Sequence, residues 1–392
     1  KEEIEISGAE VIDLSGKIVT PGLIDIHAHF REPGYEYKED IESGSMSAAA
    51  GGFTAVACMP NTNPPLDNSA LIEYVKSRAA QVGKAKVFPI GCVTKGQEGK
   101  EITEMGDMAQ AGAVAFSDDG KPVASSSLMR KAMVYAAMFD KVIIDHCEDP
   151  TLFEGGQINE GRVSILLGLA GIPKAAEEIM VTRDILLAKE MQTPVHIAHI
   201  STKGSVELLR WAKREGVRAT CEVTPHHLTL TEEAVLGFDT NTKVNPPLRT
   251  QEDIDALLEG LKDGTIDAIA TDHAPHHFDE KDLEFDKAAF GMVGLETALG
   301  VILTKVVEEK DIPINTVIEK MTIGPAKVLG LELGTLKIGV PADITVIDIN
   351  KEWTVDKDKF FSKGRNTPFH GFKLKGKAVM TIVDGKVTYS EI

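Results

Sequence analysis

Four histidines and a few aspartates stand where apolar runs end. His27 and His29 close the run LIDIHAH, one residue apart. Asp118 and Asp119 follow the apolar run in AVAFSDDG, His146 closes VIIDH, His199 closes VHIAH and Asp272 closes AIATD. Imidazole and carboxylate are ligands for divalent cations, and an i, i+2 pair on a strand shares a face and can reach one ion. Any one of these histidines alone reads as an ordinary structural residue. Their recurrence at the same end of successive apolar runs has no packing reason and points to a metal centre. Four imidazoles plus carboxylates exceed what one tetrahedral ion needs, which suggests two ions with a bridging carboxylate. An imidazole-rich set favours zinc, with manganese, iron and cobalt as alternatives. The chemistry of such a centre is hydrolysis or its reverse. A cation-held water with its pKa lowered to about 7 supplies the nucleophile, and an adjacent carboxylate moves the proton.

The elements that must hold these groups follow from periodicity. Short apolar, β-branched runs fall at 23–27, 55–59, 87–91, 113–117, 142–146, 195–199, 219–224 and 268–272. Helical stretches at 69–81, 125–138, 174–191 and 205–215 lie between them, the last two with apolar residues at three- and four-residue steps. Strands alternating with helices predict a parallel sheet covered on both faces, and eight of them predict a closed (β/α)8 barrel of the TIM type. An open doubly wound sheet is the alternative, but no GxGxxG opens a βα unit. In a barrel the C-terminal strand ends form one rim, so the metal-competent residues would converge there. The α/β barrel is expected over residues 22–333. Beyond 334 the sequence turns β-rich, with GVPADITVIDI and MTIVDGKVTYS, and residues 1–21 look alike. These two segments, 1–21 and 334–392, are expected to form one small β-sandwich domain. Loops at 149–173 and 277–291 are long enough to close over the barrel mouth, and the run DEKDLEFDK in the second reads as a solvated segment.

The net charge of −18 and a pI near 5.1 argue against a nucleic-acid or anionic-membrane partner. The four cysteines are far apart and form no CxxC pair, which favours reduced thiols and a cytoplasmic setting. No uninterrupted apolar run is long enough for a transmembrane helix, and no basic-then-apolar export signal is present.

With these residues placed, the chain resembles the dihydroorotases of the amidohydrolase superfamily, of the bacterial type. The likeness runs through GLIDIHAHFREPG, MPNTNPP, FSDDGKPV, DHCED, HIAHIS, TPHHL, KVNPPLR and TDHAPH to the C-terminal ADITVID, covering nearly the whole chain. It implies zinc-dependent, reversible cyclisation of N-carbamoyl-L-aspartate to L-dihydroorotate in pyrimidine biosynthesis. It implies one metal on His27, His29 and Asp272, a second on His146 and His199, and a bridge from Asp119, with Asp118 the adjacent alternative. Many superfamily members bridge with a carboxylated lysine on the fourth strand; here the strand leads to aspartates. One or two zinc ions per chain fit the family. Asp272 would be the general acid and base. Arg31 and Asn61 would hold the substrate carboxylate, with His276 as a further contact, Asn245 on the ring amide and the Gly291 backbone close to the ring. His226 and His227 read as structural, and His277 and His370 acquire no role. The rivals are a hydantoinase or allantoinase, whose substrates do not call for the Arg31 anchor, and a non-catalytic barrel that docks a partner enzyme. Family habit implies a homodimer and allows an aspartate transcarbamoylase as partner.

Overall fold

The computed structural model describes residues 11–392; the part of the expected small domain at 1–10 lies outside the described residues. The barrel is assembled from two parallel sheets. One runs Leu23–Ala28, Phe53–Cys58, Lys86–Pro89; the other runs Ile143–Asp145, Val195–Ile197, Ala219–Val223, Ala268–Ile269. Two joints close the ring. Phe116 bridges Gly91 on one side and Ile143 on the other, and Ala28 pairs with His273. The run at 113–117 therefore occupies its expected place but reduces to a single bridge residue. Its neighbour Pro89 accepts from the Val114 amide at 3.1 Å and, lacking an N–H, donates nothing back.

The helices at Ser69–Val82, Ser126–Ala137, Lys174–Met191 and Lys203–Arg214 match the sequence reading within two residues. Asn68, Ser125 and Thr202 cap three of them by accepting an N–H three residues on. Further helices, among them Ile41–Gly51 and Gln251–Lys262, complete the outer layer. The core has two shells. Leu23, Phe53, Val56, Val195, Ile197 and Val223 pack outward against the helices. Ile24, Ile26, Ala55, Ala57, Ile144, Ala198 and Ala270 fill the barrel, which Ala326 and Leu329 of the helix Ile323–Leu329 plug from below. The lower interior is apolar, so the polar upper layer is confined to the C-terminal rim.

Ile18–Pro21 pairs antiparallel with Ile344–Thr354, which pairs with Lys373–Val383 and then Lys386–Ser390. The described N- and C-terminal segments thus share one four-stranded sheet. Its last hairpin turns at Asp384-Gly385, both at positive φ, as an Asp-Gly signal requires. Between the two long strands, however, the chain leaves the sheet and returns to the barrel rim, where Ser362 bonds Glu39 and Asn366 bonds Ala274. The two long loops also differ from expectation. Residues 149–173 carry helices Pro150–Phe153 and Arg162–Leu167 and a paired segment, Ile158–Asn159 with Gly171–Ile172. In 277–291, Lys281 and Phe285 are buried, so DEKDLEFDK is not simply solvated. The lysine is tolerated because its ammonium donates to backbone carbonyls of the same loop.

Candidate metal centre and substrate cavity

Strand alternation alone would place His27 on the opposite face from Ile24 and Ile26. A register shift between Asp25 and Ala28 turns both His27 and His29 to the inner side. Asp25 secures this point by accepting from the amides of His27 and Thr271 and from the Thr271 hydroxyl, which ties the first strand to the last. At the other rim positions the chain leaves extended geometry. Arg31, His199 and Asp272 have φ of 61°, 27° and 48°. Non-glycine residues in this region cost of order 1–3 kcal/mol each and concentrate at functional sites. The same departure ends the strands early, at Ile197 and Ile269 instead of 199 and 272.

The result is a tight cluster. Asp119 lies 3.4 Å from His27 Nε2, 3.4 Å from His29 Nε2, 3.7 Å from His146 Nδ1 and 3.4 Å from His199 Nε2. Asp272 lies 3.1 Å from His29 Nε2 and 3.5 Å from His27 Nε2. Asp118, the alternative bridge, turns away: it accepts from the amides of Val93 and Thr94 and from the Thr94 hydroxyl. It shapes the loop, and Asp119 faces the histidines.

Electrostatics explain why such a cluster calls for a cation. Burial disfavours the charge on Asp119, but His27 and hydrogen bonds from three imidazoles outweigh it and hold the carboxyl well below its ordinary range. Burial likewise opposes protonation of His27, yet Asp119 and Glu222 hold its pKa well above the usual value. His146 is pushed up to about 10 by Asp119 and Glu148 against its own burial. His29 moves down, through burial and the Arg31 charge. His27 Nε2 and Asp119 Oδ1 face each other while buried and without a hydrogen-bond partner. His146 Nδ1 and His199 Nε2 stand 2.9 Å apart with room for one proton between them. Buried unmatched groups cost about 1–3 kcal/mol each. Donor atoms of His27, Asp119 and His199, and of His27, His29 and Asp272, lie within 4.8 Å of one another. The residues fit divalent-cation binding. A third group, Asp145–Cys147–Asp184, also meets that distance, but Arg183 bonds both carboxylates and already supplies the positive charge.

Glu222 was not singled out from the sequence. It is fully buried at the inner face of its strand, accepts from His27 Nδ1 at 2.5 Å and also holds His196 Nε2 and the His199 amide. Metal-binding histidines usually donate their other ring N–H to a carboxylate in this way. The one available signal was an acidic residue inside an apolar strand run, ATCEV.

Ten of the eleven expected site residues line one cavity of about 290 Å³: His29, Arg31, Asn61, Asp119, His146, His199, Asn245, Asp272, His276 and Gly291. His27 lies beneath its floor, at 0% exposure. Gly120, Glu148, Phe153, Ala274 and Phe290 complete the wall. Phe153 and Phe290 come from the two long loops, and their rings meet with centroids 6.0 Å apart. Arg31 is nearly buried. Its Nε donates to the Pro275 carbonyl at 3.2 Å, which fixes the guanidinium plane and leaves the terminal nitrogens for a ligand. Asn61 Oδ1 accepts from His29 Nδ1 at 2.8 Å, so this residue also orients a histidine. His276 is pinned by the Phe290 carbonyl at 2.8 Å and stands 3.5 Å from the Arg31 guanidinium. Asn245 Nδ2 lies 3.3 Å from His146 Nε2, with its Oδ1 unpaired. A Cβ on Gly291, at φ 126°, would come within 2.7 Å of the Ala274 Cβ and 3.3 Å of His276 Nε2. His227 is structural: it bridges the Thr224 hydroxyl and the Pro246 carbonyl, holding the turn that carries Asn245. His226 is buried beside it. His277 caps a short helix, and His370 accepts from the Lys357 amide at the surface.

Residues 16–205 match the Dihydro-orotase-like family and residues 251–389 the Amidohydrolase family. A dihydroorotase of Acetivibrio thermocellus is 56% identical over 390 residues, covering all of this chain and 92% of the relative. The chain belongs to the dihydroorotase family. A second member, from Pelotomaculum thermopropionicum, is 57% identical over 388 residues, with 99% and 91% coverage. Among solved structures, the L-hydantoinase of Arthrobacter aurescens superposes with a TM-score of 0.89 at 29% identity, covering 99% of this chain and 89% of that one. The dihydropyrimidinase of Brevibacillus agri gives 0.86 at 20% identity, with 99% and 88% coverage, a likeness of fold. The barrel is thus shared with a hydantoinase and a dihydropyrimidinase, while sequence identity places the chain with the dihydroorotases. No helix of the described residues is long and apolar enough to cross a membrane.

Proposed function

We propose that the chain catalyses the reversible cyclisation of N-carbamoyl-L-aspartate to L-dihydroorotate. The observation that carries this reading is the cavity itself: Arg31 and Asn61 share one small wall with the histidine–aspartate cluster. A substrate reacting at an amide while bearing a separate carboxylate fits that pairing.

In this reading His27, His29 and Asp272 would hold one divalent ion, zinc by donor chemistry, and His146 and His199 would hold a second, with Asp119 available to both. Bound there, such ions make a water more acidic and polarise the reacting carbonyl. Arg31 clamps the substrate carboxylate, with Asn61 and His276 on the same side, and so fixes the reacting carbonyl opposite Asp272. In hydrolysis the Asp272 carboxylate takes a proton from the attacking water and delivers it to the ring nitrogen as the C–N bond breaks. In synthesis it takes the proton from the carbamoyl nitrogen as that nitrogen attacks the carboxyl carbon, and delivers it to the departing oxygen, which leaves as water. Asp272 suits this because neighbouring histidines outweigh its burial and keep it ionised. Phe153 and Phe290 give the cavity an apolar wall beside the polar cluster. Four buried free thiols suit a reducing cytoplasm.

The test is metal analysis followed by ring closure of N-carbamoyl-L-aspartate by wild type, Asp272→Ala and Arg31→Ala. Asp272→Ala should abolish turnover, and Arg31→Ala should chiefly raise KM. An active Asp272→Ala enzyme would sink the mechanism.

A further inference from the structure

Asn366 belongs to the segment that leaves the small sheet and returns to the barrel mouth, and its side chain is 3% exposed. Its Oδ1 accepts from the His276 amide at 3.1 Å, and its Nδ2 donates to the carbonyls of Ala274 at 2.9 Å and Gly291 at 3.1 Å. Its own carbonyl accepts from Val293 at 2.9 Å. Ala274, His276 and Gly291 all line the cavity. One planar amide therefore joins the segment after the last barrel strand to the returning end of the 277–291 loop. Three of the four hydrogen bonds an Asn side chain can make are committed to this joint.

We infer that Asn366 is a positioning residue for the substrate-carboxylate side of the cavity, acting through the 274–276 segment on Arg31 and His276. The inference rests on the functional reading above. Between the two residues that Asn366 holds lies Pro275, whose carbonyl accepts from Arg31 Nε and so sets the plane of the guanidinium. His276, held through its amide, places its ring 3.5 Å from the same guanidinium. Gly291 is fixed from both ends, because its N–H donates to the Lys243 carbonyl at 2.8 Å and its carbonyl also receives Lys281 Nζ at 3.1 Å. The loop is thus anchored where it borders the ring-binding wall, and any closure must come from its earlier residues. The joint touches no imidazole or carboxylate of the metal cluster. Its loss should loosen the anchor for the carboxylate and leave the proton-transfer geometry intact.

The test uses the full-length, metal-loaded protein with Asn366→Asp and Asn366→Ala. The aspartate variant keeps size and the acceptor for the His276 amide but loses both donors. Steady-state kinetics with L-dihydroorotate should show KM raised by about tenfold or more in both variants, with kcat within about threefold of wild type. A lowered thermal midpoint with unchanged KM would mark the side chain as structural only and overturn the inference. So would a fall in kcat at constant KM, or failure of the isosteric aspartate variant to fold. Wild-type protein inactive on dihydroorotate would sink the functional reading, and this inference with it. Active wild type with unaltered KM in both variants sinks the inference alone.

Discussion

Glu222→Gln separates a metal centre from a merely polar barrel mouth. The carboxylate accepts the His27 Nδ1 proton at 2.5 Å, which leaves Nε2, turned toward Asp119 and Asp272, as the nitrogen that would exchange its proton for a cation. It also holds His196 and the His199 amide, so one side chain orients candidate ligands from two strands. Burial works against its charge, but His27 and His196 hold its pKa down to about 2. Glutamine keeps the volume and can still accept one of these bonds, but removes the charge that raises His27 basicity and fixes its tautomer. Loss of such a carboxylate partner costs about 10–100-fold in metal affinity, or roughly 1.4–2.7 kcal/mol. The assay is zinc competition against a chromophoric chelator of known affinity, on folded protein checked by circular dichroism. Zinc affinity within about twofold of wild type would refute the role of His27 as a carboxylate-supported ligand, since the expected loss is at least about tenfold.

Three further outcomes follow from the same geometry. Gly291→Ala forces a side chain onto φ 126° and into the Ala274 Cβ. It should destabilise by about 1–3 kcal/mol and lower kcat/KM, read by thermal melts and steady-state kinetics. In metal-free protein near neutral pH, His146 (up to about 10) and His27 hold protons that a cation must displace. Calorimetry in buffers of different ionisation enthalpy should therefore show release of about one to two protons on zinc binding, with affinity rising with pH. Burial pushes the Glu296 carboxyl up from 4.5 to about 7. The folded state then binds more protons than the unfolded across that window, so this group's contribution to stability falls as pH rises through it and is level above. Glu296→Gln should add stability of order 1–3 kcal/mol near pH 8, read as a higher melting temperature, and change little near pH 4.

Much of the site was legible because it breaks local pattern. His27, His146, His199 and Asp272 interrupt apolar runs, and only a shared rim makes sense of all four. The choice between Asp118 and Asp119 was not legible, since neighbouring residues differ only in which way the turn aims them; three bonds from Val93 and Thr94 decide it. Glu222 stood in plain view, but its partner His27 is 195 residues away. Asn366 is separated from Ala274 by 92 residues, and nothing in its local sequence points to that partner. The buried Lys281 within a charge run was misread for a related reason: its partners are backbone carbonyls, which no side-chain pattern reveals. The fold was legible through alternation, except where a strand such as 113–117 survives as one bridge held by its neighbours.

The central claim is that the metal-bearing cavity selects a ring carrying a carboxylate, and one selectivity measurement tests it most directly. It is the ratio of kcat/KM for L-dihydroorotate to that for dihydrouracil, the same ring without the carboxylate, on zinc-loaded protein. Sites that must pair a buried polar group reject analogues lacking its partner strongly, so the expected preference for dihydroorotate is at least about a hundredfold. Equal turnover of the two rings, or a preference for dihydrouracil, would contradict the account.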